Sequence, residues 1–254
     1  MTTTELITTA MDIGDMLLEN GAETYRVEES MYRICHAYGV KTAEIFAVPT
    51  TIIITVCRKD EAPITLTKRI YNRGTDLNKV DLLNTLCRDM CINKSPYDEV
   101  TARIAEIRNT EPYSLGIQIL GFAFVAFFFT LLFEGNFKDA LVALVTGAAI
   151  KVVFNQLDRI KTNPFFEMMV LGAITACFAQ LSVHFQLADN MDKIIIGTIM
   201  SLVPGIAITN SMRDIIAGDL LAGVTKAVEA LLIGTGIAVG AAIALTLLRP
   251  VLGV

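Results

Sequence analysis

Five long apolar segments follow Tyr113 and constrain the fold more than any other feature of the sequence. Crossing a bilayer takes about 20 helical residues, and each segment is long enough. Lipid offers no hydrogen-bond partner to backbone amides, so each segment is predicted to be helical. Because five such segments in succession are not typical of soluble proteins, we predict a polytopic α-helical membrane protein with about five transmembrane helices. The predicted spans are 114–133, 138–157, 165–185, 192–210 and 220–248.

Charged residues are concentrated ahead of these segments. Residues 1–114 hold 13 of the 21 Lys and Arg and 17 of the 26 Asp and Glu, a charge density typical of a soluble domain. We therefore predict a soluble α+β domain over 1–113 and a transmembrane helical bundle over 114–254. The net charge of −5, without basic tracts, argues against nucleic-acid binding. Because acids are frequent in the first 20 residues, no secretory signal is expected.

The first 113 residues show both helical and strand patterns. Gly21 is placed to end a first helix, and the apolar alternation over 52–56 favours a strand. Ser95, followed by Pro96 and Asp98, is typical of a capping box at a helix start. The predicted helices cover about 4–20, 23–38 and 76–93, with another from Ser95 to just before Pro112, and the predicted strands are 43–48, 51–57 and 64–70.

The charges of the loops indicate an orientation. With the soluble domain in the cytosol, the inside loops hold Arg159, Lys161 and Arg213, whereas the outside cations Lys138 and Lys193 are diluted by neighbouring acids. Positive charge accumulates in the cytosolic loops of membrane proteins. We therefore expect a multi-pass protein of the plasma membrane with a cytoplasmic N-terminal domain.

Few residues are suited to catalysis or to metal binding. His36 and His184 are the two histidines and lie in different halves of the chain, so no catalytic residue and no enzymatic activity are predicted. Cys87 and Cys91 lie four residues apart on one predicted helix, within possible reach of His36, but a metal site needs three or four ligands. Small apolar core residues are the favoured interpretation of both cysteines, and no metal or other cofactor is predicted.

Polar residues in the apolar segments are the main functional candidates, because a central charge costs about 2.5–3.5 kcal/mol to insert. Lys151 either meets an anionic substrate or an acid, or it snorkels to an interface. An acid on the fifth span is a candidate proton carrier, unless Lys226 and Glu229 merely neutralise each other. The predicted substrate or ion pathway comprises Lys151, Pro204, Gly205, Thr209, Asn210, Arg213, Asp214, Asp219 and Glu229.

A break or kink is expected at Pro204 and Gly205, because proline lacks a backbone donor. Transporters use unwound backbone at membrane depth to bind substrates and ions, and Thr209 and Asn210 add neutral hydrogen-bonding groups there. The alternative is an ordinary proline kink ahead of a charged helix end.

A second polar cluster lies at the corner between the first two predicted helices. Helix capping and acids near a positive helix end explain such a cluster structurally, and a gate or ligand contact is the functional alternative. The cluster consists of Glu19, Gly21, Glu23, Thr24, Arg26 and Glu28.

Two long stretches carry a resemblance to a known family. They are MDIGDMLLENGAETYRVEESMYRICHAYG at 11–39 and LVPGIAITNSMRDIIAGDLLAGVTKAVEA at 202–230. With their order, their spacing and the strands between them, the chain resembles the threonine/serine exporter family over essentially its whole length. It is most similar to the longer subunit of the split, two-component version of that family.

The resemblance implies a subunit of a secondary transporter that exports small polar metabolites from the cytosol, driven by the proton motive force. It implies threonine/serine-type amino acids or dicarboxylates such as succinate as substrates. A separate small membrane partner subunit is also implied, since nothing in the chain resembles the second membrane unit of fused family members. Two alternatives stay open: a non-transporting regulatory or scaffold subunit, and a membrane-anchored hydrolase or sensor that uses the N-terminal domain.

Overall fold

The computed structural model describes residues 1–59, 61–160 and 162–252, with side chains up to Arg249. The elements in chain order are α1 (Thr3–Glu19), α2 (Thr24–Ala37), β1 (Thr42–Val48), β2 (Thr51–Cys57), β3 (Ile64–Arg69), α3 (Leu77–Asn93), α4 (Tyr97–Arg108), α5 (Leu115–Leu132), α6 (Phe137–Arg159), α7 (Pro164–His184), α8 (Met191–Ile199), α9 (Gly205–Ala217) and α10 (Leu220–Leu252).

The chain forms two compact units. The first unit contains Met1–Glu111 together with Gly205–Val228, and the second contains Pro112–Pro204 together with the chain from Glu229 onward. Helix α9 and the first turns of α10 thus group with the N-terminal residues. The division into a soluble domain over 1–113 and a bundle over 114–254 stays a prediction.

Helices α1 and α2 meet at a corner. Helix α1 begins with a capping box in which Thr2 and Glu5 bond to each other's backbone N–H. Gly21 follows its last residues with φ of +88°, a conformation that glycine adopts without steric cost. A Cβ atom at Gly21 would lie 3.0 Å from the carbonyl oxygen of Gly74. The prediction that Gly21 ends the first helix is confirmed.

The three strands form an antiparallel sheet in the order β1-β2-β3. Ile52, Ile54 and Val56 of β2 are fully buried in the core of the first unit, as the period of two requires. On the opposite face, the hydroxyl groups of Thr55 and Thr65 lie 2.9 Å apart. The three predicted strands are confirmed to within one residue at each end.

The predicted capping box at Ser95 is wrong. Pro96 is the N-cap of α4 in an extended conformation, and α4 has no side-chain capping bond. Ser95 lies one residue too early to act as the cap, and its hydroxyl donates to Glu99 at 3.1 Å. A side-chain cap does occur at α3, where the carboxylate of Asp76 accepts from the backbone N–H of Lys79 at 3.1 Å.

Four helices, α5, α6, α7 and α10, are long and apolar enough to cross a membrane in the described part of the chain. They correspond to four of the five predicted spans. The fourth predicted span, over 192–210, consists of two shorter helices, because α8 has 9 residues, α9 has 13, and a turn separates them. That this segment crosses the membrane stays a prediction. Ser201 and Leu202 donate to carbonyls three residues earlier, and Pro204 has no N–H with which to continue a helix. The expected break near Pro204 and Gly205 is confirmed.

Glycines bring the helices of the second unit into close contact. A Cβ atom at Gly236 of α10 would lie 2.8 Å from the carbonyl oxygen of Phe165 in α7. A Cβ atom at Gly240, one turn later, would lie still closer to the carbonyl oxygen of Met169. Gly236 and Gly240 form a Gly-x-x-x-Gly pattern, a spacing of small residues that lets two helices approach closely.

Candidate functional site

Asp214 of α9 lies at the centre of a polar cluster in the first unit, which we call the Asp214 cluster. Its carboxylate is fully buried. Oδ1 accepts a hydrogen bond from the backbone N–H of Thr24 at 3.0 Å, and Oδ2 accepts one from the Thr24 hydroxyl at 3.2 Å. Lys226 of α10 donates to Oδ2 at 2.7 Å. One carboxylate therefore joins α9 to α10 and to a helix that lies 190 positions earlier in the chain.

The Asp214 carboxylate lies at the N-terminus of α2. The N-cap residue of this helix, Glu23, makes no side-chain capping bond, so Asp214 supplies an acceptor from a distant element. A helix N-terminus carries a partial positive charge and free N–H groups, which favour a bound anion. Together with the ammonium of Lys226, these donors form a site that stabilises a carboxylate.

Backbone carbonyls of the α1–α2 corner complete the cluster. Asn210 of α9 is buried and donates from Nδ2 to the carbonyl oxygen of Gly21 at 2.8 Å. Lys226 also donates to the carbonyl oxygen of Ala22 at 3.3 Å. The two long stretches that carry the family resemblance are therefore bonded directly to each other.

Glu23 forms a second ionic contact at the same corner. Arg213 donates to its Oε1 at 2.6 Å, and Arg26 lies 3.6 Å from its Oε2. Burial by itself raises the pKa of Glu23, but hydrogen bonds from its own backbone N–H and from Arg213 outweigh burial, and the pKa lies below its usual value. Glu23 is consequently a stable anion next to the buried pair of Asp214 and Lys226.

Two other acids near the Asp214 cluster hold their protons more tightly than usual. Burial raises the pKa of Glu28, against the hydrogen bond that its Oε1 accepts from the Ala47 N–H at 2.6 Å, and the charges of Asp219 and Asp214 raise it further. Burial and then the charge of Asp214 also raise the pKa of Asp219, against the effect of Lys226. A raised pKa makes both carboxyl groups candidates for proton exchange.

Other predicted residues of the first unit lie outside these contacts. The backbone carbonyl of Glu19 accepts from the N–H of Gly74 at 2.8 Å, which links the end of α1 to the segment before α3. The hydroxyl of Thr209 is exposed and donates to the carbonyl of Gly205, four residues earlier, at 2.9 Å. Pro204 directly precedes α9, at the boundary between the two units.

Lys151 and Glu229 belong to the second unit. Lys151 of α6 is 9% exposed, and its Nζ lies 5.1 Å and 4.7 Å from the ring centroids of Phe122 and Phe154. Glu167 of α7 is 7% exposed, and its Oε1 has no hydrogen-bond partner among the described residues. The charge of Asp158 acts on both Lys151 and Glu167 more strongly than they act on each other. Lys151 and Glu167 are therefore buried charged residues of two candidate membrane spans, α6 and α7.

The cysteines behave as apolar residues. Burial raises the pKa of Cys87 to about 12, and this thiol packs in the core of the first unit. Cys87, Cys91 and His36 line an open groove of about 1020 Å³ between α2 and α3. In the part of the chain that the structure describes, no three His, Cys, Asp or Glu residues are arranged to hold a metal ion.

A comparison with known protein families decides to which family the chain belongs. The model of the threonine/serine exporter family matches residues 8–248. The chain belongs to the threonine/serine exporter family. This match confirms the resemblance seen in the sequence. Together with the four apolar helices, it identifies the chain as a multi-pass membrane protein.

Curated relatives of this exporter-family chain carry two kinds of name. A Mycobacterium tuberculosis protein named a probable threonine/serine exporter is 24% identical over 245 residues, which cover 96% of this chain and 46% of the relative. The threonine/serine exporter of Corynebacterium glutamicum is 24% identical, with 94% and 50% covered. The Escherichia coli K12 protein named probable succinate transporter subunit YjjP is 22% identical, with 92% and 91% covered.

The exporter-family chain thus spans about half the length of the first two relatives and most of the third. No solved structure matches it.

Sequence reasoning missed two residues of this exporter-family chain. Lys226 was assigned only as a partner for Glu229, three residues away, whereas it pairs with Asp214. The sequence signal for the pairing of Asp214 with Lys226 is Gly218, whose φ is +102°. A glycine that turns the chain between two helices brings residues before and after it close together. Glu167 lies in the first turn of α7. Acids are common near the positive end of a helix, so nothing in the sequence singled out Glu167.

Proposed function

We propose that this chain is a subunit of a secondary transporter that exports small polar metabolites from the cytosol. Family membership and the names of the relatives support export, and the four apolar helices provide the membrane part. Threonine/serine-type amino acids and dicarboxylates such as succinate are the two substrate classes, taken from the names of the relatives. Each of these substrates carries a carboxylate.

The Asp214 cluster is the observation that carries this proposal. The donors from Thr24 and Lys226 form a carboxylate site, which Asp214 occupies in this structure. A substrate carboxylate competes for the same donors, and its binding releases α9 and the start of α10 from the α1–α2 corner. We call Asp214 the latch, because it holds α9 and the start of α10 against the α1–α2 corner. A substrate carboxylate that displaces Asp214 opens the latch. The pathway includes Asn210, Arg213 and Asp219 beside Asp214.

Coupling to the proton motive force is assigned to Glu28 and Asp219. Both carboxyl groups have a raised pKa and both interact with the charge of Asp214. Protonation of either group removes a negative charge next to the buried ion pair and strengthens it, whereas deprotonation weakens it. Proton binding and release in this way bias the latch between its two states.

The remaining parts of the proposal concern assembly and location. The YjjP relatives are named as transporter subunits, which supports a small membrane partner of the same family for this chain. The protein lies in the plasma membrane in contact with lipid, with its N-terminal domain on the cytoplasmic side. It catalyses no covalent reaction.

An efflux assay tests the proposed function. Cells that lack their own exporters are loaded with threonine, serine or succinate, and release is followed with this chain, a small partner subunit, both, or neither. We expect release of one substrate class to rise several-fold when both subunits are present and to fall when a protonophore collapses the proton gradient. Asp214→Asn abolishes the rise, whereas Asp89→Asn, which removes a partly exposed ion pair with Arg103, serves as the matched control.

Each alternative function has its own outcome in this assay. Full efflux with the partner alone supports a scaffold role for this chain and contradicts the proposal. A decrease in the total amount of substrate inside and outside the cells, without efflux, supports a hydrolase. Equal release with and without both subunits refutes export of these three compounds.

A further inference from the structure

A cavity of about 610 Å³ lies near the ends of α7 and α10, within the second unit. Its wall on α7 includes Gln180, Val183 and His184, which share one face of the helix because they are three and four residues apart. Leu245 and Arg249 line it from α10 with the same four-residue spacing. Consecutive turns of two closely packed helices therefore form this cavity.

The helix ends place the cavity at the level of the lipid headgroups. The candidate membrane spans of α7 and α10 end at His184 and Arg249, and both residues line the cavity. Helix α7 has 21 residues, so its length of about 30 Å matches the thickness of the hydrocarbon core. Gln180 lies one turn before His184, about 6 Å along the helix. The cavity thus extends from the headgroups toward the hydrocarbon core.

Gln180 brings an unsatisfied acceptor to this cavity. The residue is 7% exposed, and its buried Oε1 has no hydrogen-bond donor among the described residues. A buried amide oxygen without a donor is destabilising, and each such group in a native structure calls for an explanation such as a bound water or ion. Because Gln180 lines a cavity with room for a ligand, a hydroxyl of that ligand can supply the donor.

The charge of the cavity wall favours an anion. Among the described lining residues, Arg249 is cationic and none is acidic. A guanidinium has five N–H donors, so Arg249 can bind a phosphate beside any other partner. An ammonium group of a ligand would find no carboxylate in this wall. A phosphate with a neutral hydroxyl therefore fits better than a zwitterionic headgroup.

Apolar side chains supply much of the remaining wall. Val183 of α7, Met191 of α8 and Leu245 of α10 all line the cavity. Such surfaces suit acyl chains better than a fully hydrated ligand. Basic pockets between transmembrane helices bind phospholipid headgroups, so the combined chemistry of the wall indicates a lipid.

We propose that this cavity binds an anionic phospholipid with a hydroxylated headgroup, of the phosphatidylglycerol type. Arg249 binds the phosphate, and a headgroup hydroxyl donates to Oε1 of Gln180. The acyl chains lie along Val183 and Leu245. The bound lipid thereby connects the end of α7 to the end of α10. The inference goes beyond the proposed function and does not depend on which compound the chain exports.

Lipid binding to the purified full chain in detergent, followed by native mass spectrometry, tests this site. Three lipids with identical acyl chains are compared: phosphatidylglycerol, phosphatidylethanol, which keeps the negative phosphate but has no hydroxyl, and phosphatidylcholine, which has no net charge and no donor. We expect phosphatidylglycerol to bind about fivefold more tightly than phosphatidylethanol, because it alone satisfies Gln180. Phosphatidylcholine should bind most weakly. Glycerophosphoglycerol, the same headgroup without acyl chains, should not compete at equal concentration.

Two variants assign the contacts. Gln180→Met should remove the preference for phosphatidylglycerol and leave phosphatidylethanol binding within about twofold of wild type. Because the Gln180 amide oxygen is unsatisfied without lipid, this variant should also melt at or above the wild-type temperature when lipid-free, whereas a structural role for Gln180 predicts a lower one. Arg249→Gln should weaken both anionic lipids equally, by about tenfold, and retain the preference between them.

Gln156→Met is the matched control, because Gln156 is an exposed glutamine of α6 outside the cavity wall. It should leave all three lipid affinities unchanged. Equal binding of the three lipids by the wild type, a preference that survives Gln180→Met, or a lower melting temperature of lipid-free Gln180→Met overturns the inference. Equal affinity for glycerophosphoglycerol also overturns it, since the ligand is then a soluble phosphate compound. None of these outcomes bears on the efflux assay, which tests the proposed function separately.

Discussion

At the residue scale, the buried carboxylate of Asp214 links α9 and α10 to the start of α2 within the first unit. It has no exposed surface and holds the ammonium of Lys226, which is 13% exposed. Removal of one member of a buried pair leaves the other charge without compensation, and this costs more than the pair contributes to stability. Asp214 is therefore both the proposed latch and a structural requirement.

Asp214→Asn should destabilise the protein by about 3 kcal/mol, because it leaves the Lys226 ammonium unpaired in a buried site. Thermal unfolding of the purified full chain in detergent measures the change. Replacing both residues, with Asp214→Asn and Lys226→Met together, should recover part of the loss. Asp89→Asn is the control, and its partly exposed pair should cost no more than about 1 kcal/mol. Equal melting temperatures for Asp214→Asn and Asp89→Asn would contradict this account.

Glu28→Gln should stabilise the protein at pH 7. The folded-state pKa of Glu28 is raised above its ordinary value of 4.5, so the stability that the protonated group contributes is complete below 4.5 and is lost as the pH rises through the folded-state pKa. Glutamine imitates the protonated form and still accepts from the Ala47 N–H. Melting temperatures measured from pH 4 to pH 8 should therefore diverge from wild type as the pH rises.

Glu23→Gln is the matched variant of opposite sign. The folded-state pKa of Glu23 is lowered, so its contribution to stability is present above 4.5 and is lost as the pH falls through the folded-state pKa. This variant should melt below wild type at pH 7, and the difference should shrink in acid. If Glu23→Gln and Glu28→Gln shift the melting temperature in the same direction at pH 7, the assigned charge states are incorrect.

At the element scale, α7 and α10 pack closely because α10 carries glycine where the two backbones meet. Gly236 and Gly240 both lie against carbonyl groups of α7. Lipid provides no hydrophobic force between helices, so close packing and small residues hold them together. Gly234, on the same helix, has no atom within 4 Å of the position of an added Cβ.

Gly240→Ala should lower the melting temperature of the detergent-solubilised protein, because the added methyl group collides with the Met169 carbonyl and forces α7 and α10 apart. Gly234→Ala is the control on the same helix, and it should be neutral or slightly stabilising, since alanine favours a helix over glycine. Destabilisation by Gly234→Ala equal to that by Gly240→Ala would show that helix propensity, and not packing, explains the effect.

At the scale of the whole molecule, α10 is the element common to both compact units. Its first turns, which include Lys226, belong to the first unit, and the chain from Glu229 belongs to the second. A charge change at Lys226 therefore acts on a helix that continues as a candidate membrane span. This continuity is the covalent basis for the proposed link between the Asp214 cluster and transport.

Asn210→Ala and Asp219→Asn should each abolish efflux while the protein still assembles with its partner. Asn210→Ala removes the hydrogen bond to the Gly21 carbonyl, and Asp219→Asn removes a proposed proton acceptor. Efflux is measured beside co-purification of the two subunits, so that loss of transport is separated from loss of assembly. Normal efflux in both variants would refute the assignment of the pathway residues.

The sequence alone was sufficient for the elements, because their signals are local. Period-two alternation located β2, Gly21 ended α1, and the missing N–H of Pro204 predicted the break ahead of α9. The local signal was less reliable at Ser95, because Pro96 takes the extended conformation of the N-cap and α4 begins after it.

By itself the sequence determined the apolar helices, the mixed N-terminal fold and the two polar stretches at 11–39 and 202–230. Only the tertiary structure decided that Asp214 caps the N-terminus of α2 and pairs with Lys226, and that Lys151 and Glu167 are buried. The physical reason is that a charged side chain is satisfied by whatever donor or acceptor the fold brings within about 3 Å. That partner can lie 190 residues away, beyond any periodicity or spacing in the chain.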